Sequence, residues 1–377
     1  IRDRLTSFLN SRERGKDIQN ICLQCGTCNT VCGGKLDIAG MILKLRTKFA
    51  QEDGLNPVHK FCLDTVADRH LFHSMLRIAS VAQGMITKGQ PMIRHLPMFL
   101  SGLTAGRSLP SVAPQPFRDI LPTIKQDVPN PKGKIAIFTG CLLDFVYVDI
   151  ATDVVKALNM AGYIVEMPLG QACCGAPATY MGDVENAKKA AEMNLNAMEA
   201  EKYDYIVSAC PTCTHALRDY VDFFKDNPEM LKKAEELRSK TFDFCKLVSM
   251  LGGLPDTGDG VPMKVTYHDS CHLNRYLGVT KEQRELLKAT KGVELIEMHD
   301  CDKCCGFGGS YSVKFPEMSA PILEEKINNI VASGADVVAV DCPGCLLQIR
   351  GGLDARGLNN IQVKHTAQIV VEKREKK

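Results

Sequence analysis

Ten cysteines of this chain fall into two sets of five with matching spacing, and no other feature narrows the fold as far. The first set is Cys141, Cys173, Cys174, Cys210 and Cys213; the second is Cys271, Cys304, Cys305, Cys342 and Cys345. Cys271 follows Cys141 by 130 residues, Cys305 follows Cys174 by 131, and Cys342 follows Cys210 by 132. The residues between them repeat as well. In the first half KIAIFTGC reads as a strand ending on Cys141, followed by a helical pattern from about Asp144 to Ala161. YIVEMP is the next strand, QACCG a loop, the stretch near Asp183–Ala200 a helix, YDYIVSAC a strand, and CPTC the opening of another helix. The second half runs KVTYHDSC, helix, VELIEM, CDKCCG, a helix near Glu317–Ser333, and ADVVAVDCPGC. Short β-branched strands alternating with helical patterns predict α/β units on parallel sheets. Two such units predict halves related by a pseudo-twofold axis. Their cysteines fall at the carboxyl ends of strands, where open α/β sheets place ligands.

The rest of the chain divides around this repeat. Residues 1–60 are polar and helical in pattern and hold the run ICLQCGTCNTVC. Residues 61–133 form a helical connector that ends in a Pro-rich linker at 119–133. The two repeat units occupy 134–255 and 256–377. The overall expectation is an α/β protein of two pseudo-symmetric units with parallel sheets, preceded by a small α-helical ferredoxin-like domain. Because the chain opens on Ile rather than Met, its start is expected to lie upstream.

Seventeen cysteines among 377 residues is a high and odd number. They cluster as CxxC and CC pairs, and the charged beginning IRDRLTSFLNSRERGK is no secretory signal. Adjacent cysteines such as Cys173 and Cys174 bridge each other only with strain. Reduced, metal-binding thiolates in a cytoplasmic protein, peripheral at most to the inner face of a membrane, fit this usage better than disulfides. Charge is balanced, 46 basic against 44 acidic residues, which gives no reason to expect a nucleic-acid partner. The most apolar stretch, Met85 to Leu103, is broken by Lys88, Arg94, His95 and two prolines, so no transmembrane segment is expected.

Cys22, Cys25, Cys28 and Cys32 form C-x2-C-x2-C-x3-C, the spacing that wraps a loop around a [4Fe–4S] cubane. Gly26 permits the tight turn. The fourth cysteine either closes its own cube or serves a cluster whose other ligands lie upstream, and Gly33 stands where two-cluster ferredoxins carry a proline. Lone Cys62 is a weak candidate for a fourth ligand, since a lone cysteine is more often a buried apolar residue, and Cys245 reads as core.

Five thiolates converging from three strand ends exceed what one cube requires. The excess points to an unusual cluster in which neighbouring cysteines reach two irons. Gly175 and Gly306, each following a CC pair, would let the backbone pass close to the metal. In CPTC and CPGC a proline sits inside a chelating pair that opens a helix, whose N-terminus would stabilise an anionic cluster. Four of the five thiolates also suffice for tetrahedral zinc, more so in the first motif. Polar residues gather around the second motif: His268, Asp269, His272, Asn274 and Arg275 near Cys271, and His299 and Asp300 before Cys301. Individually each is ordinary. Jointly they make His268, Asp269, His272 and Arg275 the candidates for a proton-supplying catalytic pocket. Cys301 has no counterpart in the first half and is read as a non-ligand; His215 lies similarly beside Cys213.

The paired motifs over residues 134–370 resemble the cysteine-rich CCG domains of the heterodisulfide reductase family. The strings LRIASVAQ, IRHLP and TAGRSLPSVAPQPFRD look like the C-terminal part of an iron–sulfur lactate utilisation protein, so the whole resembles a fusion of two such proteins. The resemblance implies a [4Fe–4S] cubane, one or two noncubane [4Fe–4S] clusters, and electron transfer in an NAD-independent L-lactate dehydrogenase. It implies as partners other subunits of that complex, a flavoprotein among them, and a quinone or soluble carrier. Two alternatives stay open: thiol–disulfide chemistry of the heterodisulfide reductase kind, and a non-catalytic relay for a flavoprotein dehydrogenase acting on glycolate or glycerol 3-phosphate.

Overall fold

A computed structural model describes residues 11–87, 92–93, 108–255 and 260–375. The string IRHLP and the start of TAGRSLPSVAPQPFRD lie mostly outside them.

The α/β expectation holds. In the first half β1 (Gly133–Ile137), β2 (Tyr163–Glu166), β3 (Tyr205–Ser208) and β4 (Thr241–Asp243) form one parallel sheet in the order β2-β1-β3-β4. In the second, β5 (Met263–Tyr267), β6 (Val293–Leu295), β7 (Val337–Val340) and β8 (Gln362–His365) repeat that order as β6-β5-β7-β8, again parallel. Ile135, Ala136, Ile137 and Val337–Val340 are buried, as strands covered on both faces must be. The fourth strand of each sheet was not foreseen. TFD and QVKH are short and mixed in polarity, and only their neighbours in space make them strands.

The halves clasp each other reciprocally. The helix Thr366–Glu372 packs on Val148–Met160, and Phe244–Met250 packs on Glu282–Lys288. Each contact joins the last helix of one half to a helix of the other half that precedes its second strand, as a twofold relation requires. Val154, Leu158, Val370, Leu247 and Leu286 belong to one continuous core across this seam. Each such side chain contributes about 1.5–3 kcal/mol on burial.

Two local expectations are corrected. The single helix expected from Asp144 to Ala161 is two, Leu142–Phe145 and Val148–Met160. The Ala113 N–H takes the Phe145 carbonyl at 2.7 Å, and Arg118 binds the buried Asp144 carboxylate, Nε to Oδ2 at 2.7 Å, so the chain turns there. Burial pushes the Asp144 carboxyl up, against the pull of Arg118. Cys62, expected inside, is exposed on the helix Pro57–Ala67, whose buried side is Leu63, Thr65 and Ala67. Residues expected as a linker lie along the first sheet. Gln126 pairs with both backbone groups of Val165 at 2.8 Å, extending the edge of β2.

The N-terminal helices Arg12–Asn20, Thr27–Val31, Ile38–Asp53, Pro57–Ala67 and Arg69–Thr87 dock on both halves. Asp37 and Asn56 cap the third and fourth by accepting from Gly40 N and Val58 N. Arg46 Nη1 reaches the Tyr180 carbonyl at 2.8 Å and Lys60 reaches Asp183 at 3.1 Å on the first half. On the second, Tyr276 Oη donates to the Gln24 carbonyl at 3.0 Å.

Gly175 and Gly306 have φ of 79° and 82°, the left-handed region where a side chain is strained. Beside the room for metal expected of them, the packing gives each a further reason to be glycine. A Cβ on Gly175 would meet the Ala187 carbonyl at 3.2 Å, and one on Gly306 the Ser319 carbonyl at 2.9 Å. Each therefore lets a CC loop lie against a longer helix beyond the next one, Val184–Met198 in the first half and Pro316–Ser333 in the second. Gly306→Ala should lower the melting temperature more than Gly175→Ala, both costing at least about 1–2 kcal/mol; calorimetry on the two variants checks the ranking. Arg118→Met should leave Asp144 buried and unpaired and cost about 3–5 kcal/mol in denaturant unfolding, with Arg118→Met/Asp144→Leu recovering most of it.

Candidate metal centres

The sheets deliver the cysteines to one place. Cys141 and Cys271 follow β1 and β5, while Cys210 and Cys342 follow β3 and β7 and cap the helices Pro211–Asp219 and Pro343–Ala355. Proline at the first position of each helix is preset for it and lacks the N–H that would be orphaned. The positive ends of two helices thus abut the thiols of Cys210, Cys213, Cys342 and Cys345.

All seventeen cysteines are free, and Cys173, Cys174, Cys210, Cys213, Cys305, Cys342 and Cys345 are buried. Their thiols form an unbroken row. Cys141 meets Cys173, which meets Cys174; Cys174 meets Cys213, and Cys213 meets Cys210. Cys210 then meets Cys342 across the seam between halves. Cys342 meets Cys345, whose sulfur is 3.4 Å from that of Cys305, and Cys305 meets Cys304. Cys304 touches Cys271 and, beyond it, Cys25 of the N-terminal run. All ten cysteines of the two motifs, with Cys22, line a single cavity of about 750 Å³.

This donor set fits thiolate-bound iron–sulfur groups. Five thiols per half exceed the four one tetrahedral ion takes, and the soft sulfur ligands exclude a hard cation. Ligands must ionise, and the row favours that at chosen points. Cys174 is pulled down to about 6 by hydrogen bonds from Cys173 and Cys213. The equivalent Cys305 is pulled down by Cys304 and Cys345.

Residues the sequence did not single out hold the CC loops. In the first half Asn194 accepts from Ala172 N at 2.8 Å and donates to the Cys173 carbonyl at 2.9 Å. Tyr220 Oη donates to the Cys174 carbonyl at 3.0 Å, and Gln171 accepts from Thr139 N at 2.8 Å. In the second, Lys326 Nζ donates to the carbonyls of Asp300 at 2.6 Å and Cys301 at 3.2 Å, while Ser319 Oγ donates to that of Gly306 at 2.8 Å. Helical Asn, Ser and Lys have no sequence signature for such a role; only buried position marks them.

The polar candidates separate. Both carboxylate oxygens of Asp269 are held by Arg284, at 2.9 and 2.8 Å, and Arg284 also faces Cys301 at 3.5 Å, away from the thiol row. Arg275 donates to the Asp302 carbonyl at 2.8 Å and the Cys25 carbonyl at 3.4 Å, tying the N-terminal run to the second half. His272 lies 3.6 Å from the Cys271 sulfur, accepts or donates with Tyr180 Oη at 2.7 Å, and stacks on Tyr276. His215 pairs with Asp219 at 2.9 Å and packs edge-on against Tyr276. His299 is exposed, and Asn274 is half-buried. His268 is fully buried and lies with Cys305 and Cys345 in one group of ligand atoms within 4.8 Å of each other. Cys245 is buried as expected, its thiol directed to Asp341 at 3.5 Å.

In the N-terminal run, Gln24 and Gly26 take φ of 54° and 71°, giving the tight turn. Cys28 is raised chiefly by burial and then by the nearby charges of Cys22 and Cys25. Cys32 ends the helix Thr27–Val31, with its sulfur beside Gly34.

The cysteine-rich domain CCG matches this chain twice, at residues 135–218 and 265–350, the two repeat units. "Lactate utilization protein A" of Shouchella clausii is 39% identical over 240 residues, 63% of this chain and 99% of that protein. The protein of the same name from Bacillus subtilis is 36% identical over 238 residues, 63% of this chain and 98% of its own length. A "Probable glycolate oxidase iron-sulfur subunit" of Bacillus subtilis is 30% identical over 365 residues, 94% of this chain and 82% of that one. Coverage that long takes in the N-terminal helices as well as both halves. The chain therefore belongs to the family of two-CCG-domain proteins that includes lactate utilization protein A and the glycolate oxidase iron-sulfur subunit.

Proposed function

We propose that this chain carries electrons, by means of bound iron–sulfur clusters, in the NAD-independent oxidation of a small 2-hydroxy acid, with L-lactate to pyruvate the leading reaction. The supporting observation is the thiol row from Cys304 to Cys141 around one cavity, with Cys25 beside Cys304. The relatives' names point to the same substrate class. Cys22, Cys25, Cys28 and Cys32 would hold a cubane, and each five-cysteine motif a noncubane [4Fe–4S] cluster. Such groups supply one-electron transfer at potentials set by burial and by hydrogen bonds to sulfur.

The chain's own residues prepare that site. The sheets and their loops keep water from Cys173, Cys174, Cys305 and Cys345, and two helix N-termini offset thiolate charge. Arg46 and Lys314 line the same cavity. Arg46 binds only carbonyls, and Lys314 is exposed, with Arg46 lowering its pKa. Neither has a carboxylate partner among the described residues, so together they suit an anionic substrate or partner. The alignment of 94% of the chain with a glycolate oxidase iron-sulfur subunit favours one second reading, a relay subunit for a flavoprotein that oxidises glycolate.

Anaerobic analysis should find about twelve irons per chain, one cube plus two four-iron clusters. About eight irons with one zinc would instead make one half a zinc site. The variant Cys304→Ser/Cys305→Ser should lower L-lactate-dependent dye reduction at least tenfold; wild-type activity would remove the second motif from the reaction. Dye reduction by wild type only with glycolate and an added flavoprotein would establish the second reading.

A further inference from the structure

His268 and Phe138 occupy the same place in the two halves. Each follows the first strand of its sheet by one residue and stands three residues before the first cysteine of its motif. Each donates its backbone N–H to the third strand, His268 to Ala339 at 3.0 Å and Phe138 to Val207 at 2.8 Å. Both side chains are fully buried. Phe138 is satisfied there, packed in an apolar cluster with Cys173, Cys174, Cys210 and Cys213.

An imidazole in that position is not. Neither ring nitrogen of His268 has a hydrogen-bond partner. The Cys301 carbonyl faces the ring, but its two lone pairs are taken by Asp269 N at 3.0 Å and Lys326 Nζ at 3.2 Å. An unpartnered buried polar group costs about 1–3 kcal/mol, so its persistence needs a cause. One nitrogen lies within 4.8 Å of the sulfurs of both Cys305 and Cys345, which are themselves 3.4 Å apart. Metal–nitrogen and metal–sulfur bonds of about 2.1 and about 2.3 Å span such a gap.

We propose that His268 gives an imidazole nitrogen to the metal held by Cys305 and Cys345, making the second centre a mixed thiolate–imidazole site where the first, with Phe138, is all thiolate. This rests on the reading that the second motif binds metal. The consequence is electronic. Replacing thiolate by neutral nitrogen removes negative charge from around the iron, and in two-iron centres of that kind it raises the potential. The second centre, ahead of the first in the thiol row from Cys25, would then differ from it although the cysteines match.

The test uses the full chain, purified anaerobically with ¹⁵N-labelled or unlabelled histidine, and pulsed electron paramagnetic resonance in both one-electron states of each centre, one of which is paramagnetic. A histidine nitrogen coupling that changes with the isotope and vanishes in His268→Phe is the expected result. His268→Phe, which copies the first half, should also release metal to a chelator at least about 10-fold faster. His268→Gln keeps an N–H but coordinates poorly and should behave like the Phe variant. Iron in both halves without such a coupling, a coupling that survives in His268→Phe, or wild-type metal retention in His268→Gln would overturn the assignment. Zinc in the second motif with one nitrogen among its scatterers would support the ligand and overturn the two-cluster reading. An all-sulfur zinc shell would overturn the ligand. A chain that binds no metal in either half would sink both.

Discussion

Thiols packed sulfur to sulfur in a dry cavity are tolerable when neutral and repel strongly when ionised. Cys173, Cys174, Cys210, Cys213, Cys305, Cys342 and Cys345 are all buried in this condition, and Cys174 and Cys305 are drawn toward the thiolate by their neighbours. Such a row is stable as thiolate only against positive charge, from bound metal above all. Much of the architecture serves that requirement. Helices begin at Cys210 and Cys342 and present their positive ends, and the cations Lys326 and Arg46 lie within reach of the same space, bound to carbonyls rather than to carboxylates. Acidic residues near the site are occupied elsewhere, Asp269 by Arg284 and Asp341 by Tyr267, His365 and Cys245.

Repetition makes the row long. A parallel sheet gathers its loops at one end, so each half alone can bring five thiols together. The reciprocal helix clasp, Thr366–Glu372 on Val148–Met160 and Phe244–Met250 on Glu282–Lys288, turns the two carboxyl edges toward each other. Only then does Cys210 meet Cys342. The N-terminal helices extend the row from the other side, where Tyr276 and Arg275 bind the backbone of Gln24 and Cys25 and set Cys25 against Cys304. The continuity of the thiol row is thus a property of three packed parts.

What could be read from the sequence follows from what is local. The strands before Cys141, Cys210, Cys271 and Cys342, the helix-opening CPTC and CPGC pairs, and the parallel α/β class are all consequences of short-range pattern, and the structure has them. The strands Thr241–Asp243 and Gln362–His365 depend on partners supplied by the sheet and left no pattern to find. So too the break at Phe145, which is made by Ala113 and Arg118 from far along the chain. At the site, the cysteines were legible because thiols at fixed spacing have few other uses. Asn194, Tyr220, Lys326 and Ser319 were not, because their work is to hold backbone carbonyls of the CC loops. Gly175 and Gly306 stood out by their place after the CC pairs, but their close approach to the helices Val184–Met198 and Pro316–Ser333 left no pattern to find.

The polar residues near the second motif show how little residue type alone says about placement. His268, Asp269, His272 and Arg275 are adjacent in sequence and chemically alike in promise, yet the fold gives each a different partner. Asp269 is neutralised by Arg284, Arg275 fastens the N-terminal run, and His272 lies between Tyr180, Tyr276 and Cys271. His268 alone has both nitrogens unpartnered and faces buried sulfur. In the first half the matching position is Phe138, and Lys326 is matched by the neutral Asn194, which likewise holds a CC-loop carbonyl. Two units that share every cysteine therefore surround them with different charge. Differences of charge of this kind are the simplest physical route by which a duplicated fold acquires two unequal metal sites.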